Sequence, residues 1–142
     1  MGDLLFSDLV GRRFAWGGDD PVLGFDCWGA VRIVARRLGL ADPGPHPATQ
    51  SHLDCAQAVR GTVDALRIER LDASAHDELG DVWEWAAPGG ETHVAPVVGL
   101  NPTRVLHARS GDWSTVARAS FAIRPAFRHR LPRDRGTAPA PT

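Results

Sequence analysis

The spacing of apolar residues predicts one well-defined helix. From Cys27 onward, apolar positions 27, 30, 31, 34, 35 and 38 recur along one helical face, and Arg32, Arg36 and Arg37 occupy the other. Gly39 stands where a left-handed residue would close such a helix. A shorter amphipathic pattern runs through residues 3–12, with Leu4, Leu5, Leu9 and Val10 set among acids. Between the two, Phe14-Ala15-Trp16-Gly17-Gly18-Asp19-Asp20-Pro21 is rich in turn formers. Pro43, Pro45 and Pro47 exclude regular helix from residues 41–51, so a surface loop is expected there, followed by a second helix over 53–66. The period then changes from 3.6 to 2. Residues 82–86, 93–99, 104–108 and 113–117 read as short strands separated by Pro-Gly-Gly, Asn-Pro and Ser-Gly-Asp turns. Helices first and a meander of strands after predict an α+β fold in which N-terminal helices pack on an antiparallel sheet. Pro96, which has no N–H to donate, predicts an edge position or a bulge in the second of these strands.

Composition narrows the class. A chain of 142 residues, 43% hydrophobic and 23% charged, fits one globular domain with a real core. The Arg/Pro/Ala-rich end divides it into a domain over 1–131 and a tail over 132–142, disordered or ordered only by a partner. All the basic residues are Arg. Residues 118–142 hold six of them against Asp134, a local charge of +5, leaving residues 1–117 at −6. This basic end has no aromatic after Phe127 on which a base could stack, so nucleic-acid binding is not expected. No stretch approaches the roughly 20 apolar residues of a membrane span, so no membrane insertion is expected. The first ten residues lack the basic and apolar regions of a secretion signal, which predicts cytoplasmic synthesis. Cys27 and Cys55 do not form the spacing of a disulfide framework or a metal knuckle.

The chemistry centres on Cys27. The thiolate is the nucleophilic form of cysteine, and the positive end of a helix dipole favours it. A base must take the thiol proton, and a third polar group must hold that base in the right tautomer. His93 and His107 lie in predicted strands joined by the Asn101-Pro102-Thr103 turn, so both imidazoles are expected on one face, directed toward the Cys27 helix. The roles that follow are Cys27 nucleophile, His93 base and His107 orienter. The remaining candidates receive structural readings. His46, His52 and Cys55 are too loosely grouped for zinc, so neither a metal nor a cofactor is expected. His76 and His129 are expected at the surface, Trp83 and Trp85 as packing residues, and Asp19-Asp20 in a solvated turn.

Four segments carry a resemblance: Phe14-Ala15-Trp16-Gly17-Gly18, Gly24-Phe25-Asp26-Cys27-Trp28-Gly29-Ala30-Val31-Arg32, Gly80-Asp81-Val82, and the pair His93-Val94 to Gly99 with Val105-Leu106-His107-Ala108. In this order they resemble the NlpC/P60 family of cysteine peptidases, in particular the short phage-type cell-wall hydrolases. The resemblance implies a papain-like core and cofactor-free hydrolysis of peptidoglycan stem peptides, typically at the γ-D-Glu–diaminoacid bond. It implies a nucleophile at Cys27, a base at His93, a third polar residue at His107, and at Asp26 a carboxylate facing the free amine of a stem's L-alanine. Phe14, Trp16 and Trp28 would then flank the substrate. The sequence departs from the family at Phe14, where many members carry Tyr, and at Trp28, where a small residue is commoner. A wall substrate without an export signal implies delivery by a phage tail or gene-transfer particle, with the C-terminal region docking on a tail-tip or hub protein. An inactive tail-tip subunit that retains the fold, or an amidase built on the same triad, are the alternative readings.

Overall fold

The structure, a computed structural model, describes residues 3–45, 61–62, 66, 68–86, 92–108, 115–118 and 125–134. A short helix α1 (Asp3–Phe6) runs into a 3-10 turn (Ser7–Leu9), and a two-stranded hairpin, β1 (Asp19–Asp20) with β2 (Gly24–Phe25), leads into helix α2 (Cys27–Arg37). Six strands follow: β3 (Glu69–Arg70), β4 (Val82–Ala86), β5 (Thr92–Gly99), β6 (Arg104–His107), β7 (Thr115–Arg118) and β8 (Phe127–Arg130). They form one antiparallel sheet in the order β3-β8-β4-β5-β6-β7.

Helix α2 forms where the periodicity placed it and stops where Gly39 (φ +70°) turns the backbone left-handed. The N–H of Leu40 reaches the Ala35 carbonyl and that of Gly39 the Arg36 carbonyl, which closes the last turn as a Schellman motif. Its apolar stripe covers β5 and β6 in two adjoining clusters. Cys27, Trp28, Val31 and Ala35 pack with Val82, Val94, Ile68 and Leu131, while Ala30, Ile33 and Val34 pack with Phe6, Leu9, Phe25, Val98 and Leu106. The opposite sheet face carries a third cluster of Trp83, Ala95, Val97 and Val105, to which α2 contributes nothing. Both tryptophans of β4 belong to that far side, as packing residues.

Several local expectations are revised. Of the two settings expected for Pro96, the bulge is found and the edge is not: it sits on a central strand, opposite Val82. Val97 donates to Asp81 and accepts from Gly80, so the nitrogen of Pro96 faces β6, the side on which the β5–β6 register breaks between Val97 and Gly99. Of the strand predicted over 113–117 the structure describes β7 from Thr115, residues 113–114 lying outside the described residues, and β3, β8 and the β1–β2 hairpin were not anticipated. Of the expected helix over 53–66, Gly61, Thr62 and Leu66 are helical and the rest lies outside the described residues, as do His46, His52 and Cys55. Residues Pro132 to Asp134 are tied to the end of α2 through Ala41 N–H to Pro132, Asp134 N–H to Gly39 and a Leu40–Arg133 bridge; the tail beyond lies outside the described residues.

Candidate active site

The first turn of α2 is fixed by Asp26, the N-cap. One carboxylate oxygen accepts the Gly29 N–H at 2.7 Å and the other accepts the Gly17 N–H at 2.8 Å, and the side chain is buried. Gly17 (φ +73°) adopts the left-handed backbone that turns its N–H toward Asp26. Gly29 has its own reason: a Cβ there would overlap the Gly18 carbonyl oxygen, so helix and loop touch backbone to backbone. The glycines around Cys27 thus let residues 15–18 close over the helix start. Phe14 is bridged to Phe25 and meets Trp16 edge to face, ring centroids 4.9 Å apart, and both rings are half-buried on this loop.

Cys27 opens the helix and is 2% exposed. The helix dipole favours its thiolate and the apolar surroundings oppose it. Trp28 is equally buried, and its indole N–H donates to the Gly44 carbonyl at 2.8 Å, so it ties α2 to the following loop from within the core.

His93, near the start of β5, and His107, at the end of β6, stand side by side. Nε2 of His93 lies 2.9 Å from Nδ1 of His107, with the rings nearly parallel at 15° and centroids 5.1 Å apart. Trp85, opposite His93 across β4–β5, packs on both rings, with centroids at 5.6 and 5.3 Å. The imidazoles share one face, as the sequence implied. That face, however, is the one lined by Trp83, Ala95, Val97 and Val105, because strand alternation sends Val94 to the α2 side, where it packs with Cys27. The expectation that both rings point toward the helix is therefore corrected. Val94, next to His93 in β5, belongs to the cluster that holds Cys27, so the start of β5 adjoins the start of α2.

Three further features complete the surroundings. Asp19 pairs with Arg32 at 2.6 Å, and Asp20 caps its turn through the N–H groups of Val22 and Leu23, so the acidic pair is structural. His76 is exposed as expected, whereas His129 is buried against Glu84 and corrects the surface assignment. A cleft of about 950 Å³ lies between the 71–77 segment, the 100–103 turn and β8, lined by Trp83, Thr103 and Arg128 among others. Neither Cys27 nor the His93–His107 pair lines it. Among the described residues no cluster of His, Cys, Asp or Glu has the composition of a metal site.

No protein-family model and no curated protein sequence matches the chain. A solved structure does: the NlpC/p60 domain of the peptidoglycan hydrolase SagA aligns over 92% of this chain and 98% of its own length, with a TM-score of 0.58 and 24% sequence identity. At that identity the likeness establishes a shared fold, the papain-like α+β arrangement of one helix packed on an antiparallel sheet.

Proposed function

We propose that the chain is a cell-wall hydrolase of the NlpC/P60 family, a cysteine endopeptidase that cuts peptidoglycan stem peptides at the γ-D-Glu–diaminoacid bond. The observation that carries this reading is the 2.9 Å contact between His93 and His107 on the two strands that follow the Cys27 helix. The neighbouring fold of a peptidoglycan hydrolase domain supports the substrate class.

A contact between two imidazole nitrogens holds one proton. When His93 donates Nε2–H to Nδ1 of His107, its own Nδ1 is left as the acceptor for the Cys27 thiol proton. His107 then orients the ring and stabilises the imidazolium that forms, and Trp85 keeps water from the hydrogen bond between them. Cys27 attacks the stem carbonyl, N–H groups of the helix's first turn stabilise the oxyanion, and His93 protonates the departing amine before activating water for deacylation. Asp26, Phe14 and Trp16 border the approach to Cys27 on this reading. Asp26 would meet the L-alanine ammonium only by sharing a carboxylate that two backbone N–H groups already occupy. Delivery by a phage tail or gene-transfer particle, with the basic C-terminal region on a tail-tip or hub protein, accounts for where such an enzyme meets its substrate.

Digestion of purified muropeptides tests the activity. The wild type should release new amino termini within stems, and Cys27→Ala and His93→Ala should not. Stems freed whole from the sugar would identify an amidase instead. One observation favours an inactive tail-tip subunit, the 2% exposure of Cys27. Equal lack of turnover in wild type and Cys27→Ala would select that reading.

A further inference from the structure

The cleft between the 71–77 segment, the 100–103 turn and β8 has no part in the proposed reaction, yet its walls are firmly held. Arg128, opposite Trp83 across β4–β8, donates to the carbonyls of Asp72 at 2.7 Å and Ala75 at 2.9 Å, and to the Asp77 carboxylate at 2.9 Å. The same carboxylate accepts from the Trp83 indole at 3.2 Å and from the Thr103 hydroxyl at 2.9 Å. One aspartate thus ties loop, sheet and turn together, so the cavity is shaped before any ligand arrives and little ordering cost remains. The cleft lies at the turn end of the β5–β6 hairpin. His93 and His107 stand at the open end, roughly 20 Å away at the rise of a strand.

The charge of the cleft is one-sided. Arg70, His76, Asp77 and Arg128 are the ionisable residues of its lining, and Asp77 and Arg128 neutralise one another. The Arg70 guanidinium remains, 4.1 Å over the Phe127 ring and without a hydrogen bond or ion pair among the described residues. Stacking shields one face of the guanidinium and fixes its plane, which leaves the N–H edges to pair with a carboxylate. His76 and Asn101 are exposed in the same lining. Leu71, Leu100, Pro102, Ala126 and Phe127 supply apolar wall. The volume, about 950 Å³, is that of a small-molecule site rather than of a bare ion.

These features select the ligand. One uncompensated cation matches one negative charge, and the exposed Asp72, between two lining residues, disfavours a dianion or a polyanion. Apolar walls around Arg70 call for small apolar groups next to that charge, and the Asn101 carboxamide offers both a donor and an acceptor to a peptide unit. We propose that the cleft binds a short peptide by its free carboxylate end, with Arg70 pairing the carboxylate and the apolar walls receiving small side chains. The site needs nothing from Cys27, so it stands or falls separately from the endopeptidase.

The test titrates the ¹⁵N-labelled full chain by NMR with N-acetyl-Ala-Ala, with its C-terminal amide and with inorganic phosphate. The dipeptide acid should shift the backbone signals of Asn101 and Thr103 and the Arg70 Nε–H, saturating at millimolar concentration. The amide form and Arg70→Gln should each weaken binding at least about tenfold, the loss of one charge-assisted pair. Arg70→Lys, which keeps the charge without the planar fork, should fall between. Arg70 is exposed, so both variants should retain the wild-type far-UV circular dichroism. Shifts confined to residues 17–27, equal binding of acid and amide, an undiminished affinity in Arg70→Gln, or no saturable shift at all would each overturn the proposal. Saturation by phosphate at a lower concentration than by the dipeptide would overturn it too, since the site would then be one for an inorganic anion. A wild type that cleaves no stem would remove the endopeptidase and leave these titrations as they are.

Discussion

Replacing Asp26 with alanine removes both anchors of the helix start at once. The side chain accepts from Gly29 at 2.7 Å and from Gly17 at 2.8 Å; the Gly29 N–H is buried, so water cannot replace that bond, whereas Gly17 is exposed. Loss of an N-cap costs about 1 kcal/mol, and loss of the second bond, whose donor Gly17 is exposed to water, adds about 1 kcal/mol. The expected destabilisation is about 2 kcal/mol, which for a chain of this size lowers Tm by roughly 4–8 °C. Asp26→Asn keeps one acceptor but turns an amide group toward the second N–H, so about half that loss is expected. Urea unfolding followed by far-UV circular dichroism measures this as a fall in midpoint at constant slope. A loss below about 1 kcal/mol for Asp26→Ala would refute the capping role. If such a stable variant also lost its preference for stems with a free L-alanine amine, the carboxylate would be a substrate contact rather than a structural one.

Further outcomes follow from the same geometry. Gly29→Ala forces a methyl group into the Gly18 carbonyl, and a loss of about 2 kcal/mol or more is expected in the same unfolding assay. Trp28→Phe retains most of the buried ring but abandons the bond to Gly44, so about 1 kcal/mol should be lost. Hydrogen bonds from the Arg37 guanidinium hold the Asp8 carboxyl below its ordinary value. A depressed carboxylate stabilises the fold above its unfolded pKa and loses that contribution as pH falls through the folded value. Because the pair is largely exposed, the effect on stability is well under about 1 kcal/mol, and the sharper readout is an Asp8 NMR titration whose midpoint rises in Arg37→Gln.

The sequence disclosed the parts of the fold whose signals are local. The stripe from Cys27 to Leu38, the closing Gly39 and the alternating runs in β4, β5 and β6 each state their structure within a dozen residues. The two-residue strands β1, β2 and β3 are too short to carry a period, and they form because longer neighbours offer them a ladder. β8 was missed for another reason. Its inward residues Phe127 and His129, followed by Leu131, do alternate, but the Arg residues between them and the histidine among them hid the apolar period. The same bias sent His129 to the surface. At the site, the nearness of His93 to His107 was legible from two strands and a short turn, whereas the face they occupy was not. It depends on which of Val94 and His93 the helix covers, and only packing against α2 decides that. Trp28 shows the converse: a residue next to the nucleophile invites a substrate role, yet its indole is spent inside the core.

Everything functional turns on whether the Cys27 thiol and the His93 ring act as a unit around the start of β5. The direct measurement is the pH dependence of iodoacetamide alkylation of Cys27 in a Cys55→Ser background, with and without His93→Ala. An ion-paired site predicts alkylation with a midpoint well below the roughly 8.5 of an ordinary thiol, returning to the ordinary range or above when His93 is removed. Identical profiles in the two proteins would contradict it.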